Sequence, residues 1–217
     1  MESDLIKAYR DKLGEEYGEI IDYAIAKHAG QTRKGGNDFV LHPLYVASII
    51  KLYNGSPSQI CAGLLHDVVE DTDTTFVQLK EDLSKMKILN DIKEMKRLKI
   101  TTLAYPDVIV YYVSEMTNVF TKENYPNLNR KERKKREIAK FKLWNEPDLK
   151  LIKYADIISN LSDIDSIDTD FAKVYLREDM QIISALQYDH PIYDYAVNIL
   201  FEAIGTIYKR DENGKES

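Results

Sequence analysis

Within residues 61 to 75, CAGLLHDVVEDTDTT, an imidazole and three carboxylates fall inside six residues of otherwise apolar sequence: His66, Asp67, Glu70 and Asp71. Burying such a cluster requires a compensating cation or hydrogen bonds, because an unpaired charge removed from water costs roughly several kcal/mol. No Lys or Arg lies between Leu52 and Lys80, which makes a bound metal the natural local partner. His66 and Glu70 are four apart, as are Asp67 and Asp71, so a continuing helix sets His66 with Asp67 and Glu70 with Asp71 on neighbouring stripes. One pair then suits a divalent ion and the other a proton. The plainer alternative is a helix end followed by a solvated acidic turn, with His66 a hydrogen-bonded core histidine.

The elements that must position these groups read as helices. Residues 4 to 29 form one or two, with Ile20, Ile21, Ala24, Ile25 and His28 at helical intervals. GQTRKGGNDF breaks the pattern as a loop that carries Arg33 and Lys34. His42 then stands before Pro43 at a helix start, and that helix stops at Asn54-Gly55. Ser56-Pro57 opens the helix that ends in the cluster. Beyond it come a short helix from Thr74, a charged amphipathic stretch to Ile100, and a helix from Pro106, although Val108 to Tyr112 would also pass for a strand. Residues 121 to 136 are a polar loop leading into a dense basic run, either a solvated helix face or an electrostatic rim for a polyanion. Pro147 starts PDLKLIKYADIISNLSDI, where Asp156 interrupts an apolar face and Asn160 follows four residues later. Helices around 169 to 187 and 191 to 208 complete an all-α chain, with residues 211 to 217 expected as a disordered tail.

Composition agrees. A chain of 217 residues that is 44% hydrophobic and 30% charged, with nine Gly and six Pro, fits one compact helical domain over 1 to 210 better than a sandwich or barrel. The net charge of −6 and a pI near 5.3 disfavour nucleic-acid binding through a basic surface. Cys61, alone in the chain, is expected as a buried, inert thiol. No membrane span or signal peptide is evident, so the expected compartment is the cytoplasm.

His42, the His66-Asp67 pair and a distant Asp156 thus come from separate helices or helix ends. Two imidazoles and two carboxylates suit a borderline ion such as Mn²⁺, Fe²⁺ or Zn²⁺, whereas calcium would want more oxygens. In order along the chain, AxxxHAGQTRKGG, HPLYVA, LLHDVVEDT and KYADIISN resemble the H…HD…D signature of the HD-domain metal-dependent phosphohydrolases. The likeness covers roughly residues 17 to 165 and is nearest to the (p)ppGpp hydrolase domain of Rel/Spo proteins and small alarmone hydrolases.

That resemblance implies an HD-domain helical bundle in which His42, His66, Asp67 and Asp156 hold one Mn²⁺. It also implies that Glu70 and Asp71 position and activate the attacking water. Arg33 matches the arginine that packs on the guanine ring, Lys34 lies beside it, and Asn160 matches an asparagine near the nucleotide. Lys153, one helical turn before Asp156, faces either a phosphate or solvent.

The sequence departs from the family pattern at Ile157, where an arginine is usual, at Ser162-Asp163, where Arg-Thr is usual, at Gly35 and Asp38, and at Asn118, where a lysine is usual. The metal and water machinery is complete while the nucleotide pocket is altered. The expected activity is therefore 3′-pyrophosphohydrolysis of (p)ppGpp. Its rivals are hydrolysis of another nucleotide (an NADPH-type 2′-phosphate, a dNTP or a 5′-mononucleotide) and a non-catalytic nucleotide sensor.

Overall fold

The computed structural model describes residues 3–90 and 106–215. Residues 91–105, which hold much of the expected amphipathic stretch, lie outside the described residues, as do 216 and 217. The chain packs as two compact units, Met1–Thr117 and Asn118–Ser217, where the sequence suggests a single domain.

In the first unit, α1 (Asp4–Leu13) and a 3₁₀ turn (Glu15–Tyr17) precede α2 (Gly18–Lys27). Next come α3 (Leu41–Leu52), α4 (Pro57–Leu65), the single turn α5 (Val68–Asp71), α6 (Phe76–Lys85), α7 (Lys87–Asn90) and α8 (Pro106–Met116). Two helix starts are self-sufficient. At α4 the Ser56 hydroxyl accepts the Gln59 amide hydrogen while the Gln59 side chain accepts that of Ser56, with Pro57 in the first turn. Thr75 and Gln78 repeat this box at α6. Each box satisfies amide hydrogens that a helix start otherwise leaves without partners.

Ile20, Ile21, Leu44, Ile50, Leu64, Leu79, Leu83, Ile109 and Val113 form the core of this unit, each fully buried. Val108 to Tyr112 are helical, because Ile109, Tyr112, Val113 and Met116 recur at three- and four-residue intervals on the buried face. Helices α3 and α4 approach closely at Gly63, where a Cβ would stand 2.5 Å from Ile50 Cδ1 and 3.4 Å from the Ala47 backbone. Cys61 is buried on the same helix, and burial pushes its thiol up to about 12, as an inert cysteine requires.

The second unit holds α9 (Arg130–Phe141), α10 (Pro147–Ser162), a 3₁₀ turn (Ile164–Ser166), α11 (Thr169–Leu186) and α12 (Pro191–Lys215). Asn129 and Glu132 cap α9 reciprocally. The basic run on α9 is only partly a solvated face. Arg130 grips Glu178 through two hydrogen bonds of 2.9 and 2.7 Å and lies over the Phe171 ring, while Lys131, Lys135 and Arg136 stay exposed. Helix α12 continues to Lys215, past the point where the sequence suggests a disordered tail from residue 211. Long-range bonds hold it: Arg210 donates to Thr169 Oγ1 and to the Asp165 and Ile167 carbonyls, and Asp211 pairs with Lys173 at 2.7 Å. No helix among the described residues is long and apolar enough to cross a membrane.

Asp179 on α11 is buried, and its Oδ2 has no hydrogen-bond partner. Burial pushes its pKa up to about 8; Lys153 and Lys134 oppose the shift, while Asp156 and Glu178 reinforce it. Its carboxyl is protonated in the native state where the unfolded chain ionises. The resulting stability is whole below about pH 4 and declines as pH rises towards 8.

Two outcomes follow from this packing. Gly63→Val should force α3 from α4 and lower stability by about 1–3 kcal/mol in denaturant titrations. Asp179→Asn should melt above the wild type at pH 8.5, by a margin that shrinks when both are measured at pH 5; an unchanged margin would place Asp179 outside the titrating set.

Candidate active site

Helices α3 and α4 present His42 and His66 to one another. Both are buried, with their Nε2 atoms 3.2 Å apart. The His66 Nδ1 lies 2.9 Å from the Gly63 carbonyl, which can only accept, so Nδ1 carries a proton and Nε2 is the nitrogen turned towards His42 and Asp67. α4 ends at Leu65 and a new turn opens at Val68, with His66 and Asp67 between them still in the right-handed helical region. His66–Asp67 and Glu70–Asp71 therefore follow one another along a helical path that is interrupted once rather than lying on one unbroken helix. Asp67 sets one carboxylate oxygen 3.4 Å from His42 Nε2 and the other 3.2 Å from His66 Nε2.

Two imidazole nitrogens and a carboxylate thus converge with ligand-like spacing, since donors about 2.1 Å from a common ion at right angles stand about 3 Å apart. The donor set fits a borderline divalent cation. Burial is graded along the cluster: His66 is enclosed, Asp67 is half-buried, and Glu70 and Asp71 are exposed. Partial desolvation raises the Asp71 pKa, the Glu70 charge adds to this, and His66 offsets it. Asp71 also borders an open polar cleft of about 630 Å³ lined by Lys27, Gln31, Thr74 and Asp82.

Arg33 and Lys34 lie on a tight turn in which the Gly36 amide donates to the Arg33 carbonyl at 2.8 Å and the Arg33 amide to Asn37 at 2.9 Å. Thr32 and Asp38 close it as an antiparallel bridge pair. Gly36 has φ +85°, which favours glycine there. The Lys34 side is exposed and Arg33 is half-buried.

In the second unit, the buried Asp156 carboxylate accepts from Lys153 Nζ at 2.8 Å and from Asn160 Nδ2 at 2.6 Å. Spacings of three and four on α10 bring these groups together, and they supply the partners that an aspartate on an apolar helix needs. Lys153 is largely enclosed, which removes the surface-lysine alternative. Ile157, in the family's arginine position, is buried, and Asp163 caps the end of α10 half-buried. His28 and Gln31, both in the stretch HAGQTRKGG, join the site through contacts that their types and spacing do not signal. His28 Nδ1 meets Gln31 Oε1 at 2.8 Å, and Gln31 Nε2 donates to the Asp71 carbonyl at 2.7 Å.

Residues 21–186 match the family model described as HD domain. The chain belongs to the HD domain family. Among curated relatives, this HD domain protein is 30% identical over 174 residues to the guanosine-3′,5′-bis(diphosphate) 3′-pyrophosphohydrolase of Spiroplasma citri, a match covering 79% of this chain and 20% of that protein. It is 24% identical over 192 residues to the probable enzyme of the same name from Mycoplasma pneumoniae, covering 86% of this chain and 24% of that one. The HD domain chain therefore spans about a fifth to a quarter of the length of these relatives. Its fold is similar to that of a metazoan ortholog of SpoT described as hydrolysing ppGpp, with a TM-score of 0.63 at 23% identity over 88% of this chain and 97% of that one.

Proposed function

We propose that this HD domain protein is a metal-dependent hydrolase that cleaves the 3′-diphosphate of (p)ppGpp, giving GDP or GTP and pyrophosphate. The observation that carries the proposal is the His42–His66–Asp67 convergence with Glu70 and Asp71 one turn further on, in a chain whose relatives carry that enzyme's name. His42, His66 and Asp67, joined by Asp156, hold one divalent ion, with Mn²⁺ the reading favoured over Fe²⁺ or Zn²⁺. When bound, that ion supplies Lewis acidity, easing deprotonation of water and neutralising charge on phosphoryl oxygens.

The chain's own residues do the rest. Glu70 and Asp71 orient the attacking water and take its proton, a task suited to Asp71 because its raised pKa makes it a better base than an ordinary carboxylate. Water oxygen joins the phosphorus nearest the sugar, the bond from that phosphorus to the 3′ oxygen breaks, and the leaving oxygen becomes a hydroxyl by taking up a proton equivalent to the one that the carboxylate removed and then gives up. Arg33 stacks on the guanine, and Lys34 sits beside it on the same turn. Lys153 and Asn160 orient Asp156 and face the nucleotide.

A second reading, hydrolysis of an NADPH-type 2′-phosphate, a dNTP or a 5′-mononucleotide, is favoured by one observation. Ile157 withdraws an apolar side chain into the core where the family usually offers a cationic one.

Metal-stripped protein should release pyrophosphate from ppGpp only after Mn²⁺ is restored; turnover of another nucleotide with silence on ppGpp would move the substrate, and silence on a full panel would leave a nucleotide sensor. Asp67→Ala should lose both metal and activity, whereas Glu70→Ala should retain the ion by equilibrium dialysis and lose about 10²-fold or more in turnover. Turnover should also fall with decreasing pH along a limb lying above the ordinary carboxylate range, because Asp71 is protonated early; a limb at the ordinary value would assign the base elsewhere.

A further inference from the structure

The turn that carries Glu70 and Asp71 is too short to hold itself, since one turn of helix fixes several residues for a single backbone bond. On its C-terminal side Thr72 and Thr74 brace it, the Thr72 hydroxyl donating to the Val68 carbonyl and approaching Thr74 Oγ1 at 3.0 Å. The carbonyl of Asp71 ends this turn, where helical carbonyls have no partner within the helix. Gln31, 40 residues earlier in the chain, supplies a donor to it.

Gln31 is engaged at every polar group. Its backbone amide donates to the His28 carbonyl and its own carbonyl accepts from the Phe39 amide, both at 3.0 Å. Its side-chain NH₂ meets the Asp71 carbonyl, and its side-chain oxygen therefore faces His28 Nδ1. Carbonyl oxygen only accepts, so the amide orientation is dictated, and His28 must be the tautomer with hydrogen on Nδ1. Burial holds this imidazole below its ordinary pKa; the Gln31 bond opposes that shift and nearby His66 adds to it. The His28 ring stacks on Phe39 at 4.8 Å, and Phe39 meets the His42 ring edge-on at 6.2 Å.

We infer that Gln31, oriented by His28, is a positioning residue that ties the Glu70–Asp71 turn to the loop bearing Arg33 and Lys34. The inference rests on the hydrolase reading for its catalytic consequence, though not for the tie itself. A nucleotide held by the loop and a water held by the turn are then registered by one carboxamide.

Gln31→Glu keeps size and the acceptor towards His28 but replaces the donor to Asp71 with a repelling oxygen. With the full chain loaded with Mn²⁺ and acting on ppGpp, this variant should lose about 10- to 100-fold in kcat with KM and Mn²⁺ affinity near wild type. His28→Phe/Gln31→Glu should be no worse than Gln31→Glu alone, because the two act as one unit. A kcat within about twofold of wild type, fully additive losses, or a matching loss of metal affinity would each overturn the inference. A substrate-free readout separates its failure from that of the hydrolase reading. Amide hydrogen exchange across residues 68–75 should quicken in Gln31→Glu while residues 57–65 stay protected, and an unchanged pattern overturns the tie whatever nucleotide the protein turns over.

Discussion

The close approach of the two helices Leu41–Leu52 and Pro57–Leu65 is the constraint on which the first unit's chemistry depends. A side chain at Gly63 would displace the tip of Ile50 and press on the Ala47 backbone, and its absence leaves room where His42 and His66 face each other at 3.2 Å. The same glycine lends its carbonyl to His66, which fixes a proton on one ring nitrogen and turns the other towards His42 and Asp67. Steric room and the Nδ1 proton thus come from a single residue, and Asp67 follows directly to meet both imidazoles.

From that centre outward, burial and charge are graded in a way that divides the labour. The imidazoles are enclosed, Asp67 is half-buried beside them, and Glu70 and Asp71 reach solvent. An exposed carboxylate is ordinarily a weak base, but the neighbouring Glu70 charge and partial desolvation raise Asp71. In the second unit Asp156 is treated differently: Lys153 and Asn160 occupy its two oxygens and fix its orientation along its own helix.

Most helix starts were legible because their signals are local: Ser56 before Pro57 and Pro147 opening its helix are read within a few residues. The His66, Asp67, Glu70 and Asp71 set was legible from residue type and spacing. The interruption between Leu65 and Val68 was not, since neither His66 nor Asp67 is a helix breaker and both keep right-handed helical backbone angles. The continuation of the last helix to Lys215 was equally hidden, because Arg210 and Asp211 find their partners some 40 residues away. Gln31 stood in plain view inside a recognisable motif, yet its partner Asp71 is joined to it only by the fold.

The reciprocal caps at Ser56–Gln59 and Thr75–Gln78 bracket the segment that carries His66 through Asp71. Each is complete within four residues and owes nothing to the sequence between them. Exchanges at exposed positions inside the bracket, Glu70 and Asp71 among them, therefore leave both helix starts intact, whereas Gly63, Leu64, Leu65 and Val68 are tied to the packing. The exposed carboxylates can thus vary without cost to the two helix starts that frame them.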